Sequence, residues 1–223
     1  MSASAAVGTV YLDRIRHRLQ QGDLPGYAAQ ETMGHALRQE YRRAPANARA
    51  ASVLALCYPI DGVLHLLFIQ RTSPPGDRHG GQISFPGGRV DAVDRSPRDT
   101  ALREAQEEVG IDPKAVEIIG ELTPLYIPIS NFLVRPFVGY LQRRPRLVPQ
   151  LSEVARTLEL PLADFFAPDV VEYREKTLFN GMVLQEVPHW VVDGEGIWGA
   201  TAMIVGELIA LGQPLDGFKP SNG

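Results

Sequence analysis

Residues 87–111 read GGRVDAVDRSPRDTALREAQEEVGI, and this stretch decides how the rest of the chain is interpreted. Ser96 is a typical N-cap, Pro97 suits the first helical position, and Gly110 suits a left-handed C-cap. The sequence therefore predicts a short helix whose two ends are set by neighbouring residues.

Three glutamates of this helix, Glu104, Glu107 and Glu108, stand at positions i, i+3 and i+4, which places three carboxylates on one face. The apolar residues also share helical spacing: Ala101, Leu102, Ala105 and Val109. We expect the apolar stripe to pack on the core and the glutamates to point the opposite way.

A charged helix face is often simply solvated, but this one carries a conflict. Like charges at these spacings repel by about 0.2–0.5 kcal/mol per pair, and acids in the last turns face the negative end of the helix dipole. Arg103 reaches only part of the cluster, Glu107 at i+4. A hard divalent cation resolves the conflict, so we expect Mg2+ or Mn2+ on Glu104, Glu107 and Glu108, in an open catalytic site.

The segment resembles the Nudix box, G-x5-E-x7-R-E-U-x-E-E-x-G-U, in which U is a bulky apolar residue. The matching positions are Gly88, Arg103, Glu104, Glu107, Glu108, Gly110 and Ile111. Asp94 takes the place of the first Glu only with one extra residue, and Ala105 stands at the first U. The resemblance implies an α/β/α sandwich with a mixed sheet, metal-dependent hydrolysis of a diphosphate linkage, and a mainly structural pairing of Asp94 with Arg103.

Other segments resemble the coenzyme A diphosphatases of this family. Before the box these are the run ending at Thr72, Gly81 and residues 85–88; after it they are residues 126–130, 134–138, 152–154, 161–162 and 197–202. The subgroup signature has an Arg at the position of Gly76, and Arg78 is the nearest substitute here. The resemblance covers roughly residues 50–212.

Residues around the box are candidates for binding substrate. Gly87 and Gly88 would let the backbone approach the metal or phosphates, and a tight turn is the simpler interpretation. The basic candidates for phosphate binding, each also an ordinary type of surface charge, are Arg71, Arg78, His79 and Arg89. Glu104 or, outside the box, Glu153 is expected to orient or deprotonate the attacking water.

Composition is consistent with a single globular enzyme domain of 223 residues, 44% hydrophobic, with a net charge of −4. Without clustered Lys and Arg, nucleic-acid binding is not expected, so the expected partner is a small nucleotide. Cys57 is expected to be a buried thiol in a cytoplasmic protein. The apolar run 198–211 is too short for a membrane span and contains Glu207, and no export signal is apparent. Serine-hydrolase and P-loop motifs are absent.

The remaining chain is predicted to alternate strands and helices in an α/β arrangement. The expected elements are two helical pieces over residues 9–43 broken at 22–26, strands 53–58 and 63–70 turning at Asp61-Gly62, strands 116–127 and 132–141, a hairpin over 173–192 turning at Asn180-Gly181, and a helix over 198–211 ending at Gly212. We expect an N-terminal helical extension (1–50), a Nudix domain (51–215) and a tail (216–223).

Two activities stay open within the enzyme class. The first is hydrolysis of coenzyme A or acyl-coenzyme A to 3′,5′-ADP and (acyl-)4′-phosphopantetheine; the second is hydrolysis of ADP-ribose, a dinucleotide or another nucleotide. A noncatalytic nucleotide-binding module is a third class, but such modules usually lack one or more box acids, and this chain retains all three. The resemblance also makes a homodimer a reasonable expectation.

Overall fold

Strands β1 (Arg49–Ile60) and β2 (Val63–Arg71) form an antiparallel hairpin in the main sheet. In this computed structural model, which describes residues 3–36, 41–73, 76, 79–178 and 181–213, Asp61 and Gly62 have φ angles of 49° and 81°. A two-residue I′ turn requires positive φ at both central residues. The hairpin predicted at Asp61-Gly62 is therefore confirmed.

The other elements follow in chain order. The helices are α1 (Ala3–Gln21), α2 (Gly26–Glu31), α3 (Pro97–Val109) and α4 (Gly199–Gly212), with a 3-10 helix at Leu162–Phe166. The remaining strands are β3 (Ile83–Ser84), β4 (Gly87–Arg89), β5 (Glu117–Glu121), β6 (Leu125–Ile127), β7 (Phe132–Tyr140), β8 (Val154–Pro161), β9 (Val171–Thr177), β10 (Val183–Val192) and β11 (Glu195–Trp198).

The main sheet is mixed, with the central order β3-β2-β1-β7-β5. The β1–β7 pair is parallel, whereas β4 on β1, β6 on β7 and β8 on β2 are antiparallel. A second, three-stranded sheet has the order β11-β10-β9. Its β9–β10 hairpin confirms the strands predicted over 173–192, and Asn180 of the predicted turn lies outside the described residues.

Residues of β1 alternate between two hydrophobic cores. Leu54, Leu56 and Tyr58 belong to the core shared with α3, whereas Ala55 and Cys57 belong to the core shared with α1 and α4. Successive strand side chains point to opposite faces, so the sheet lies between α3 on one side and α1 with α4 on the other. The expected α/β/α sandwich and the buried Cys57 thiol are confirmed.

Buried hydrogen bonds connect the N-terminal helices α1 and α2 to α4. The Tyr11 hydroxyl donates to the Leu208 carbonyl at 2.7 Å, and the Gln30 amide donates to the Glu207 carboxylate at 2.8 Å. The predicted break between two helical pieces is confirmed, and the predicted division near residue 50 stays a prediction. The helical prediction beyond Glu31 is wrong for residues 32–35, because the amides of Met33 and Gly34 turn back to carbonyls three residues earlier. Residues 37–40 of the predicted helix lie outside the described residues.

The single strand predicted over residues 116–127 is wrong, since the chain forms two strands with a gap at 122–124. Pro124 has no N–H for a sheet hydrogen bond. The amide and hydroxyl of Thr123 donate instead to the buried carboxylate of Glu207, the hydroxyl at 2.6 Å. A tertiary partner thus interrupts the ladder. No helix among the described residues has both the length and the apolar character needed to cross a bilayer.

The hairpin strands diverge where the box begins. Beyond the pairing of Cys57–Ile60 with Val63–Leu66, β1 pairs with β4 and β2 pairs with β3. The segment predicted as a loop or turn at Gly87 and Gly88 is instead a short strand, since it pairs with Val53 and Ser52 of β1. This pairing fixes the glycine backbone beside α3.

Candidate active site

Helix α3 begins and ends where the sequence predicts. The Ser96 hydroxyl accepts a hydrogen bond from the Asp99 amide at 3.2 Å, Pro97 occupies the first turn, and Gly110 has a φ of 75°. The apolar stripe packs on the sheet, with Ala101 fully buried. The two caps therefore determine on which turn of the helix each acid lies.

The three glutamates of α3 differ sharply in exposure. The side chain of Glu107 is 58% exposed, that of Glu104 15%, and that of Glu108 only 2%. The prediction that all three point away from the core is wrong for Glu108. Its carboxylate lies against β4, where the Gly87 amide donates to Oε2 at 2.8 Å.

Arg103 gathers the acids around it into one network. Its guanidinium donates to both carboxylate oxygens of Asp94, at 2.9 and 3.0 Å, and to the Arg89 carbonyl at 3.1 Å. The same group lies 2.9 Å from Glu104 and 3.0 Å from Glu107. The hydrogen bonds from Arg103 hold the pKa of Asp94 well below its ordinary value. The expected Asp94–Arg103 pairing is present, despite the extra residue in this loop.

Burial raises the pKa of Glu108 to about 8, and the negative charges of Glu104 and Glu153 add to the shift. The Gly87 amide and Arg71, whose Nη1 lies 4.0 Å from Glu108 Oε1, act in the opposite direction. Burial is also the main reason why the pKa of Glu104 is raised. The protein thus holds buried acids whose negative charge is incompletely balanced.

The two box glycines leave no room for a side chain, for different reasons. A Cβ at Gly87 would lie 2.4 Å from the Ser52 carbonyl oxygen and 2.6 Å from Val53 Cα, which are backbone atoms. A Cβ at Gly88 would lie 2.5 Å from the Glu104 carboxylate. Position 87 therefore requires glycine because a side chain would clash with the β1 backbone. Position 88 requires glycine because a side chain would clash with the Glu104 carboxylate.

A cavity of about 1150 Å³ opens beside these glycines. Among the residues predicted to bind substrate, its lining includes Arg71, His79, Gly87, Gly88 and Arg89. Arg78 lies outside the described residues. Glu153 has an exposed side chain, and its carbonyl accepts a hydrogen bond from the Thr72 amide at 2.9 Å. Its charge still acts on the pKa of Glu104 and Glu108.

Other walls of the cavity come from the stretches 126–130, 134–138 and 197–202, and from elements far from the box in sequence. They include Met33 after α2, Phe132 on β7, Lys176 on β9, Leu184 on β10 and Trp198 on β11. Of these five residues, only Trp198 stands in a stretch that resembles the coenzyme A diphosphatases. An isolated lysine in a strand gives no signal of this kind, because its neighbours across space are not neighbours in sequence.

The donor chemistry at the box fits a hard divalent cation, since carboxylate oxygens are what Mg2+ and Mn2+ prefer. The lack of a side chain at Gly88 leaves the Glu104 carboxylate accessible from β4. In the part of the chain that the structure describes, no three His, Cys, Asp or Glu side chains are gathered closely enough to hold a metal ion. Glu104 and Glu107 instead turn towards Arg103.

Comparison with known proteins identifies the family. The NUDIX domain model matches residues 48–177. The uncharacterized Nudix hydrolase NudL of Pectobacterium atrosepticum is 38% identical over 162 residues, which cover 72% of this chain and 81% of that protein. The peroxisomal coenzyme A diphosphatase NUDT7 of Mus musculus is 40% identical over 126 residues, or 56% of this chain and 52% of its own.

Among solved structures, a C. elegans Ap4A hydrolase in a binary complex matches 51% of this chain and 80% of its own, at 20% identity and a TM-score of 0.44. The match of the family model to more than half of the chain, together with the NudL relative, is decisive. The chain belongs to the Nudix family and is a hydrolase of diphosphate bonds.

Proposed function

We propose that this enzyme hydrolyses the diphosphate of coenzyme A or acyl-coenzyme A to 3′,5′-ADP and (acyl-)4′-phosphopantetheine. The observation that carries the proposal is one continuous cavity of about 1150 Å³, which joins Arg71 and the box glycines to apolar walls. Coenzyme A combines a nucleoside diphosphate with a long, largely uncharged arm, so it requires both kinds of surface. The coenzyme A diphosphatase activity of the mouse relative supports the same substrate.

In this proposal Glu104, Glu107 and Glu108 hold Mg2+ or Mn2+. When bound, the cation neutralises phosphate oxygens and lowers the pKa of the attacking water. Glu104 and Glu107, which pair with Arg103 in this structure, would exchange that pairing for the cation. Arg103 keeps its two hydrogen bonds to Asp94, which hold the loop before α3 in place.

The remaining box residues position the substrate. Gly87 and Gly88 line the cavity beside the diphosphate, and Gly88 leaves the Glu104 carboxylate open to the cation because a Cβ there would meet that carboxylate. The basic side chains that line the cavity donate hydrogen bonds to phosphate oxygens: Arg71, His79 and Arg89. Arg78, from the same part of the chain, is assigned the same role as a prediction from sequence.

Glu153 accepts the proton of the attacking water in this proposal, and Glu104 is the alternative acceptor. Water forms a new P–O bond at one phosphorus while the bond from that phosphorus to the bridging oxygen breaks. Both products then end in a phosphomonoester. The negative charge of Glu153, which reaches Glu104 and Glu108, supports its place beside the reacting water.

The test is product analysis by chromatography after incubation with Mg2+ or Mn2+ and coenzyme A, ADP-ribose, NADH or diadenosine polyphosphates. We expect release of 3′,5′-ADP and 4′-phosphopantetheine from coenzyme A, with little from the other compounds. Glu107→Gln should remove this activity. A matched control is Glu117→Gln, since the Glu117 side chain is 53% exposed against 58% for Glu107 and pairs with Arg16 outside the box.

Intact coenzyme A alongside cleavage of another diphosphate would refute the proposed substrate and leave the family assignment untouched. Equal turnover by the Glu107→Gln variant and the wild type would refute the metal-ligand assignment.

A further inference from the structure

Lys176 faces the same cavity as the box residues but belongs to a different sheet. It lies on β9, whereas Arg71, Gly87 and Gly88 lie on the main sheet. Its Nζ atom stands 4.8 Å from the centre of the Trp198 ring, and Trp198 also lines the cavity. A cation over an aromatic face is attracted by the ring quadrupole. The ammonium group therefore has a defined position on the cavity wall.

The charge of Lys176 is not balanced by an acid within the described residues, where no carboxylate lies within ion-pair distance of Nζ. On the same strand, the adjacent Glu175 accepts a hydrogen bond from the Gln185 amide at 2.8 Å, and Glu172 pairs with Arg174 at 2.7 Å. Glu195, which also lines the cavity, pairs with Arg156 at 2.7 Å. Lys176 thus presents a positive charge to a large cavity, although the diphosphate has basic residues of its own on the main sheet.

We propose that Lys176 binds an anionic group of the substrate that is separate from the diphosphate. This inference rests on the proposed coenzyme A substrate, which carries a phosphomonoester on its ribose and, in some acyl derivatives, a carboxylate at the end of the acyl arm. Both groups accept charge-assisted hydrogen bonds from a compact ammonium. Lys176 therefore sets specificity and takes no part in the chemical step.

The test compares kcat and KM for two substrate pairs, each differing by one anionic group. Coenzyme A against 3′-dephospho-coenzyme A reports on the phosphomonoester, and succinyl- against acetyl-coenzyme A reports on the carboxylate. The variants are Lys176→Met, Lys176→Arg and the control Lys114→Met. Lys114 is an exposed lysine outside the cavity lining, so its loss removes the same formal charge elsewhere.

We expect Lys176→Met to lower kcat/KM by about tenfold for the substrate that bears the bound anion, which is the loss of one charge-assisted hydrogen bond. The effect should appear in KM, and kcat/KM for a substrate that lacks the bound anion should be unchanged. Lys176→Arg should restore most of the difference, and Lys114→Met should leave all four substrates unaffected. Thermal unfolding of each variant establishes that the fold is retained.

A reduced preference within the first pair assigns the phosphomonoester, and a reduced preference within the second pair assigns the carboxylate. If the wild type cleaves these substrates and Lys176→Met changes neither preference, this inference is overturned and the proposed function stands. If the wild type cleaves none of them, the proposed function fails and the inference fails with it.

Discussion

Two regions of the Nudix box each bury an acid, and the two acids respond in opposite ways. The side chains of Asp94 and Glu108 are each 2% exposed. Asp94 accepts hydrogen bonds from Arg103, Thr100 and the Asp91 amide, and its pKa is lowered. Glu108 accepts one from the Gly87 amide and has its nearest guanidinium at 4.0 Å, and its pKa rises to about 8.

The difference shows that burial alone does not define the role of an acid. Asp94 sits in a closed clamp in which every nearby donor stabilises its charge, as a structural residue requires. Glu108 has few donors and further acids close by, so its charge favours an additional cation. The loop before α3 thus holds a structural clamp at Asp94, whereas the last turn of α3 holds an active acid at Glu108, and variants of the two should separate stability from activity.

The largest effect is expected from Glu108→Gln. Gln keeps the shape and can still accept the hydrogen bond from the Gly87 amide, but it cannot supply a negative charge to the cation. We expect metal-dependent kcat/KM to fall by about 100-fold or more, a loss typical of one electrostatic group in an active site. Steady-state kinetics over a Mg2+ titration measures this. Wild-type rates in a folded variant would contradict the assignment of Glu108.

Asp94→Ala should act chiefly on stability. The change leaves the Arg103 guanidinium without its bidentate partner, so we expect a loss of about 2–3 kcal/mol in the free energy of unfolding. Urea denaturation measures the loss. Asp99→Ala, which removes a half-buried acid from the first turn of α3 but leaves the amide that donates to Ser96, is the control. A loss no greater than that of the control would argue against the clamp.

Gly88→Ala and Gly87→Ala should have different effects, the first mainly on activity and the second mainly on stability. The methyl group at position 88 meets the end of a flexible Glu104 side chain, so we expect activity to fall by about tenfold with little loss of stability. At position 87 it meets backbone atoms of β1, so the fold itself should be destabilised. Parallel kinetics and thermal unfolding measure both effects. Equal stability loss in the two variants would contradict this distinction.

The smallest effect is a pH dependence of stability in the absence of divalent metal. The pKa of Glu108 is raised on folding, so between about pH 4.5 and pH 8 the folded state keeps a proton that the unfolded state has lost. The free energy of unfolding should therefore fall as the pH rises through this range. Asp94, with its lowered pKa, should contribute the opposite slope only at more acidic pH.

Urea denaturation of the wild type and of Glu108→Gln at several pH values measures this pH dependence of the free energy of unfolding. The variant should lack the fall in the free energy of unfolding that Glu108 causes between about pH 4.5 and pH 8. Identical pH profiles for the two proteins would mean that Glu108 is ionised in the folded state throughout this range.

The features that the sequence predicts well depend on residues close together in the chain. The ends of α3 follow from Ser96, Pro97 and Gly110, whose hydrogen bonds and backbone angles involve only near neighbours. The hairpin at Asp61-Gly62 is local in the same sense. The family resemblance also depends on spacing along one segment, and for that reason it could be stated before any tertiary contact was known.

The features that the sequence does not predict depend on which elements meet. The gap at residues 122–124 arises because Thr123 donates to Glu207, which lies 84 residues away in the chain. The burial of Glu108 depends on β4 lying against α3, and the presence of Lys176 in the cavity depends on a second sheet. Helical spacing predicts which side chains share a face, but it gives no information on what covers that face.

The sequence by itself therefore determined the family, the acidic helix with its two ends, and the residue types available for chemistry, because all of these depend on local order and spacing. Only the tertiary structure decided which acid is clamped by Arg103, which is buried beneath Gly87, and which distant walls complete the cavity. The physical reason is that burial and electrostatic balance are set by all atoms that surround a group in space, most of which come from elsewhere in the chain.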